Sequence, residues 1–259
     1  MRDADSTVLV TGAAQGIGRA TARLLAASGR KVGLVDRAEG PLAALVDELR
    51  GASIAWAVAD VRDKVSVRVA ASKVESGLGP IGVLVASAGV GGMSTAVDLD
   101  TDGLRAMLEI NVLGVAHAIE AVLPGMIARQ CGHILALSSV AGFRGLPWMP
   151  GYSASKAALS TYLEGLRPSL KRRGVAITNV CPGFVRTALT AGTPFRRPLP
   201  MMEPERAARE VVAAIRRRPR DHVFPLNARL GMGLIRRLPN WAYDRMMDHA
   251  GPRALTTEF

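Results

Sequence analysis

In the stretch GYSASKAALSTY, Tyr152 stands four residues before Lys156. Residues four apart share one face of a helix, so the Lys156 ammonium can reach toward the Tyr152 hydroxyl. A free phenol titrates near 10, too high for a base at neutral pH. A unit charge ~4 Å away, at an effective dielectric of ~20, contributes up to ~4 kcal/mol. That lowers the phenol by at most about three pH units, into the range where general acid–base catalysis works best. The neighbours Ser153, Ala154, Ser155, Ala157 and Ala158 are small, which leaves room for reactants to reach the tyrosine. The spacing alone also fits a chance surface pair.

A second stretch supplies a partner for this chemistry. VLVTGAAQGIGRA places Gly12, Gly16 and Gly18, with Gln15 and Ile17 between them, at the junction of an apolar run and a helical pattern. Gly12 permits a tight turn, while Gly16 and Gly18 let backbone approach a pyrophosphate and let helix and strand pack closely. The helix N-terminus then offers free N–H groups to the phosphates. No GK[ST] follows, so the loop is not that of a nucleoside triphosphatase.

Asp36 ends the next apolar run, 18 positions after Gly18. It can accept hydrogen bonds from the ribose hydroxyls of NAD. A 2′-phosphate about 4 Å from it meets a repulsion of several kcal/mol even at an effective dielectric of ~20, which disfavours NADP. Arg37 next to it could hold that phosphate, so NADP stays open. Asp60, with Val61 beside it, could meet the adenine edge or serve as a helix N-cap.

These residues need a scaffold. STVLVTG, KVGLVD, SIAWAVAD, IGVLVASAG, GHILALSS, GVAITNVCPG and DHVFPL read as strands. Between them GIGRATARLLAASG, PLAALVDELR, residues 64–76, 102–129 and 152–173, and PERAAREVVAAIRRR read as helices. The alternation predicts a single α/β domain over residues 1–259. Its doubly wound parallel sheet is a Rossmann fold of about seven strands with helices on both faces, and ligands bind at the strands' carboxyl ends. Pro168 predicts a kink about three turns past Lys156. Residues 190–203, TAGTPFRRPLPMME, read as a mobile substrate loop.

Composition narrows the setting. No targeting segment and no run near the ~18 apolar residues of a spanning helix stand out. Cys131 and Cys181 form neither a CxxC motif nor a disulfide framework, so a reducing cytoplasm is expected. His117, His133, His222 and His249 lack metal-ligand spacing, and no metal is expected. The formal charge is +11. Residues 1–164 carry 15 Lys/Arg against 15 Asp/Glu, and residues 165–259 carry 18 against 7. A basic face can attract anionic lipid or acidic substrates. Nucleic acid is not expected, since no reading motif or interleaved stacking aromatics accompany the charge.

The chain resembles the short-chain dehydrogenase/reductase family in its single-domain form. The matching residues are TGAAQGIG (11–18), Asp36, Asp60, SAG (87–89), Asn111 in INVLG, Ser139 in SSVAG, YSASK (152–156) and PGFVRT (182–187). The resemblance implies that Tyr152 transfers a proton, while Lys156 lowers its pKa and binds the nicotinamide ribose. Ser139 would hydrogen-bond the reacting oxygen, and Asn111 would hold a water linking Lys156 to solvent. Ala88 and Gly89 would touch cofactor through their backbone. Pro182, Gly183, Val185 and Thr187 would border the nicotinamide, with the Val185 N–H and Thr187 positioning its carboxamide. A homodimer or tetramer is also implied. Two departures stand out. Ala86 and Ser87 replace an asparagine pair, which implies lost support for the central strands, and Gly82 replaces a common aspartate.

The less generic part concerns substrate and surface. Trp148, Met149, Phe195, Met201 and Met202 could line an apolar pocket. The expected reaction interconverts a secondary alcohol and a ketone on a hydrophobic molecule such as a steroid, lipid or terpenoid. The alternative is a catalytically silent, dinucleotide-binding regulatory or scaffolding protein. A sugar-nucleotide epimerase or dehydratase fits the glycine spacing and chain length less well. In the basic extension 227–259, Leu230, Leu234, Ile235 and Leu238 share a helical face, away from Arg229, Arg236 and Arg237, with Trp241 and Tyr243 following. That pattern suits a peripheral membrane contact, an oligomer interface or a lid.

Overall fold

The computed structural model describes residues 6–96, 98–190 and 201–248. Seven parallel strands form one sheet in the order β3-β2-β1-β4-β5-β6-β7. They are β1 (Thr7–Thr11), β2 (Val32–Asp36), β3 (Ile54–Val58), β4 (Ile81–Ala86), β5 (Gly132–Leu137), β6 (Val175–Pro182) and β7 (Asp221–Phe224). The helices are α1 (Gly16–Ala27), α2 (Glu39–Glu48), α3 (Lys64–Leu78), α4 (Thr101–Leu108), α5 (Gly114–Ala128), α6 (Pro150–Lys171), α7 (Pro204–Arg217), α8 (Leu226–Ile235) and α9 (Asn240–Asp248). All seven expected strands form.

The central strands are buried throughout, as a sheet covered on both faces requires. Their alternate residues feed two cores. Leu9, Leu84 and Ile134 face the layer of α3, α5 and α6. Val8, Val10, Val83, Val85 and Leu135 face the layer of α1, α2 and α7. The order reverses where β4 pairs with β1 in place of β3. The crossovers on either side of β1 and β4 leave to opposite faces, which opens a crevice beyond their carboxyl ends.

Several sequence expectations are corrected here. Asp63, not Asp60, caps α3, accepting from the N–H groups of Val65 (2.8 Å) and Ser66 (3.2 Å). Helix α6 runs through Pro168 and ends at Lys171, two residues short of the expected end at 173. The stretch 101–128 is helical throughout, with a π-turn at Glu109–Leu113, and is long and apolar enough to span a bilayer by composition. Its Met107, Ile110, Val115, Ala118, Ile119, Val122 and Met126 are nonetheless buried in this fold. Ser87 restores support that the missing asparagine pair implied was lost. Its hydroxyl donates to the Thr11 carbonyl at 2.6 Å, tying β4 to β1. Gly82 leaves room for the Ser6 side chain, which an added Cβ would overlap.

Gly33, in the middle of β2, lies directly under Val74 of α3, where an added methyl would overlap the valine. Gly33→Ala should therefore destabilise the chain by about 1–3 kcal/mol. A urea titration should show a lower midpoint at unchanged slope.

Candidate active site

One cleft opens at the carboxyl edge of the sheet. Gly12, Gln15, Gly16, Ile17, Gly18, Asp36, Arg37, Asp60, Val61, Ala88, Gly89, Ser139, Tyr152, Lys156, Pro182, Gly183, Val185 and Thr187 all line it. Of the residues singled out from sequence for catalysis or cofactor binding, Asn111 alone does not.

The β1–α1 loop forms one end. Gly12 has φ 67°, and a Cβ there would stand 2.6 Å from the Ala88 backbone. The turn can therefore close only against the chain leaving β4. Helix α1 begins at Gly16 after an extended Gln15, with no side-chain cap and no acidic residue in its first turn. A pyrophosphate suits such an end, because the N–H groups and the dipole both favour an anion.

Asp36 is held rigidly at the rim. Its carboxylate accepts from Ala14 N at 2.9 Å and from Ala38 N at 3.0 Å. Each oxygen keeps a further lone pair for a hydroxyl donor. Arg37 is exposed beside it. Asp60 is gripped by the Arg62 guanidinium, the closest contact being 2.6 Å. That hydrogen bond holds the carboxyl below its ordinary range.

At the other end, Tyr152 lies in the first turn of α6 and Lys156 one turn further. Lys156 is buried, and its ammonium donates to the Leu137 carbonyl at 2.8 Å. Burial lowers its pKa to about 8. The ammonium stands 5.7 Å from the centroid of the Tyr152 ring. Burial raises the Tyr152 phenol, and a hydrogen bond with the Ser139 side chain partly offsets the rise. This corrects the expectation that Lys156 draws the phenol down. The ammonium is directed at Leu137, and loss of water dominates both groups. Ser139 also accepts from Ala141 N at 3.1 Å, which fixes its rotamer beside the tyrosine.

Asn111 acts from behind this pair. It is buried in the π-turn, and its amide donates to Val90 O (2.9 Å) and Ser155 Oγ (3.0 Å) while accepting from Val90 N (2.9 Å). Ser155 in turn donates to the Tyr152 carbonyl at 2.8 Å. Both side-chain donors of Asn111 are thus occupied by protein, and the residue ties the chain after β4 to the start of α6.

Sequence reasoning missed Thr190 and Leu189. Thr190 Oγ accepts from Thr187 N at 3.1 Å and donates to Val185 O at 2.8 Å, closing the turn that carries both. Its spacing three residues after Thr187 was the available signal. A Cβ on Gly91 would stand 3.0 Å from Leu189 and 3.4 Å from Tyr152, so these two side chains flank one space. Met202 is not a pocket residue. It is buried in the core and pairs with Val185 as an isolated bridge. Met201 is half-buried, and Phe195 and most of the expected loop 190–203 lie outside the described residues. Trp148 and Met149 pack with Ala141 and Leu146, against Tyr152 and Met247. Among the described residues no cluster suited to a metal appears. Neither Cys131 nor Cys181 is in a disulfide, and burial pushes the Cys181 thiol up to about 12.

Comparison with known proteins agrees with this geometry. The family model described as short chain dehydrogenase matches residues 6–195. An uncharacterized oxidoreductase of Myxococcus xanthus is 38% identical over 242 residues, covering 92% of this chain and 94% of that protein. One of Staphylococcus saprophyticus is 36% identical over 192 residues, covering 73% and 82%. A short chain dehydrogenase/reductase from Burkholderia phymatum, solved in complex with NAD, superposes with TM-score 0.82 at 27% identity, covering 97% and 99%. An alcohol dehydrogenase from Thermococcus sibiricus, complexed with 5-hydroxy-NADP, superposes with TM-score 0.76 at 26% identity, covering 85% and 95%.

The Lys156 shift has a measurable sign. Its folded pKa, about 8, lies below the unfolded value of 10.5, so the unfolded chain binds more protons between those limits. Stability therefore rises with pH across that window. Melting temperatures of wild type and Lys156→Met, compared from pH 7 to about 10, should show the wild type gaining on the variant; parallel curves would contradict a depressed lysine.

Proposed function

The chain belongs to the short-chain dehydrogenase family of oxidoreductases, and from that premise we propose that it interconverts a secondary alcohol and a ketone with NAD. The observation that carries this reading is the common cleft: the glycine turn and uncapped α1 at one end, and Ser139, Tyr152 and Lys156 at the other. The dinucleotide, when bound, accepts or returns the hydride.

The protein's own groups do the rest. In oxidation, Tyr152 Oη, ionised to the phenolate, would take the hydroxyl proton as the carbinol carbon gives up its hydride. In reduction, the same atom protonates the oxygen. Ser139 Oγ steadies that oxygen, and Lys156 supplies positive charge beside the phenol. Asn111 and Ser155 keep the first turn of α6 in place. Gly12 through Gly18 take the pyrophosphate, Asp36 the adenosine ribose, and Pro182 through Thr187 border the nicotinamide. Asp36 supports NAD over NADP because its carboxylate is fixed where a 2′-phosphate would approach. Leu189 beside Tyr152, with Trp148 and Met149 behind it, supports an apolar substrate. Two cysteines that form neither a CxxC motif nor a disulfide support a reducing compartment, the cytoplasm.

Tyr152→Phe should cut turnover of a hydrophobic ketone by about two to four orders of magnitude while leaving NADH affinity intact, as fluorescence titration would show. Turnover that survives the substitution would remove Tyr152 from the reaction, and cofactor binding without turnover in the wild type would favour a silent binding protein. In the same titration NADH should bind at least about tenfold tighter than NADPH, and Asp36→Ala should narrow the gap.

A further inference from the structure

Helix α8 contains no buried residue. Leu226, Leu230 and Leu234 recur at every fourth position along it and are 65, 64 and 68% exposed, and Trp241 at the start of α9 is 74% exposed. The sequence pattern placed Ile235 and Leu238 in this stripe. Both are half-buried instead, and Leu226 takes their place. An apolar stripe of this kind is disfavoured in water and marks a contact surface.

The segment is not a loose end. The Arg144 guanidinium donates to the Leu238 carbonyl at 2.7 Å and to Asn240 Oδ1 at 2.8 Å, and stacks 4.3 Å from the centroid of the Tyr243 ring. The Tyr243 hydroxyl donates to the Gly145 carbonyl. These contacts tie down the chain immediately after α8.

Charge identifies the occupant. From His222 through Tyr243 the chain carries three arginines, Arg229, Arg236 and Arg237, and no carboxylate. All three are exposed, and they adjoin the leucines. An isologous contact with a second copy would set this patch against the same patch, cations facing cations with no carboxylate between His222 and Tyr243 to offset them. A bilayer bearing anionic headgroups meets both features, since leucine and tryptophan enter the interface while arginines pair with phosphates. We propose that the exposed face of α8, with Trp241, docks this protein on an anionic membrane surface. The proposal is independent of the reaction assigned above.

Flotation of the full chain with vesicles tests it. The protein should float with phosphatidylcholine–phosphatidylglycerol vesicles, stay behind with phosphatidylcholine alone, and be released by high salt. Leu230→Asp combined with Leu234→Asp should weaken vesicle binding by about tenfold or more at an unchanged melting temperature. Arg229→Glu combined with Arg237→Glu should abolish the preference for anionic lipid. Vesicles should shift the tryptophan emission to the blue in the wild type and not in Trp241→Phe. The proposal falls if the wild type stays behind with anionic vesicles at low salt, floats equally with both kinds, or keeps its binding in the aspartate variant. It also falls if the aspartate variant merely sediments as a smaller oligomer, which would make a second copy the occupant.

Discussion

Lys156 is a cation removed from water, and both its ends are held by the same strand terminus. Its ammonium donates to the carbonyl of Leu137, the last residue of β5. Its own carbonyl accepts from the hydroxyl of Ser138, the next residue along. Gly142 lets the turn after β5 lie against the same point of α6, because a Cβ there would stand 2.8 Å from the Lys156 carbonyl carbon. These contacts fix the rotation and depth of α6 against the sheet. Tyr152 and Ser139 keep their mutual position only because α6 and the end of β5 are joined there. A second brace reaches the same helix from β4, through Val90, Asn111 and Ser155. The glycine turn is registered to β4 as well, by Gly12 against Ala88 and by Ser87 on Thr11. Both ends of the cleft are thus registered to the central strands, which fixes the position of Gly12 relative to Lys156.

Much of this was legible in the sequence, because the signals were local. Strands β1 to β7 read as short apolar runs ended by glycine, proline or aspartate, or in β5 by a serine pair. The glycine turn, Asp36 and the Tyr152–Lys156 spacing each follow from the geometry of one element. What was not legible depends on contacts between distant segments. Ser87 looked like a loss until Thr11, 76 positions away, was found to accept its hydroxyl. Asn111 could be nominated, but its partners Val90 and Ser155 belong to other elements, so its bracing role was hidden. Asp60 ended a strand-like run and could have capped a helix. Asp63 took the cap, and Arg62 drew Asp60 aside. In the C-terminal segment the helical period was visible, but the direction of the face was not. Arg144, some hundred residues earlier, anchors the chain just beyond α8.

The same dependence explains the direction in which the phenol and the ammonium are shifted. Sequence spacing considers only the attraction between a cation and a developing phenolate. The folded cleft adds loss of water, which penalises each charged form separately. Burial lowers the ammonium to about 8 and raises the phenol. Near neutral pH the pair therefore stands as an ammonium beside a protonated phenol, poised to give a proton rather than to take one. Giving a proton suits reduction of a carbonyl. Taking one requires further positive charge in the cleft, or stronger hydrogen bonding of the phenolate than Ser139 alone provides. The tuning that the Tyr–Lys spacing suggests thus belongs to the loaded cleft. What the chain builds by itself is the geometry, a fixed hydroxyl with an ammonium within reach, in a place dry enough that any charge entering it acts strongly on both.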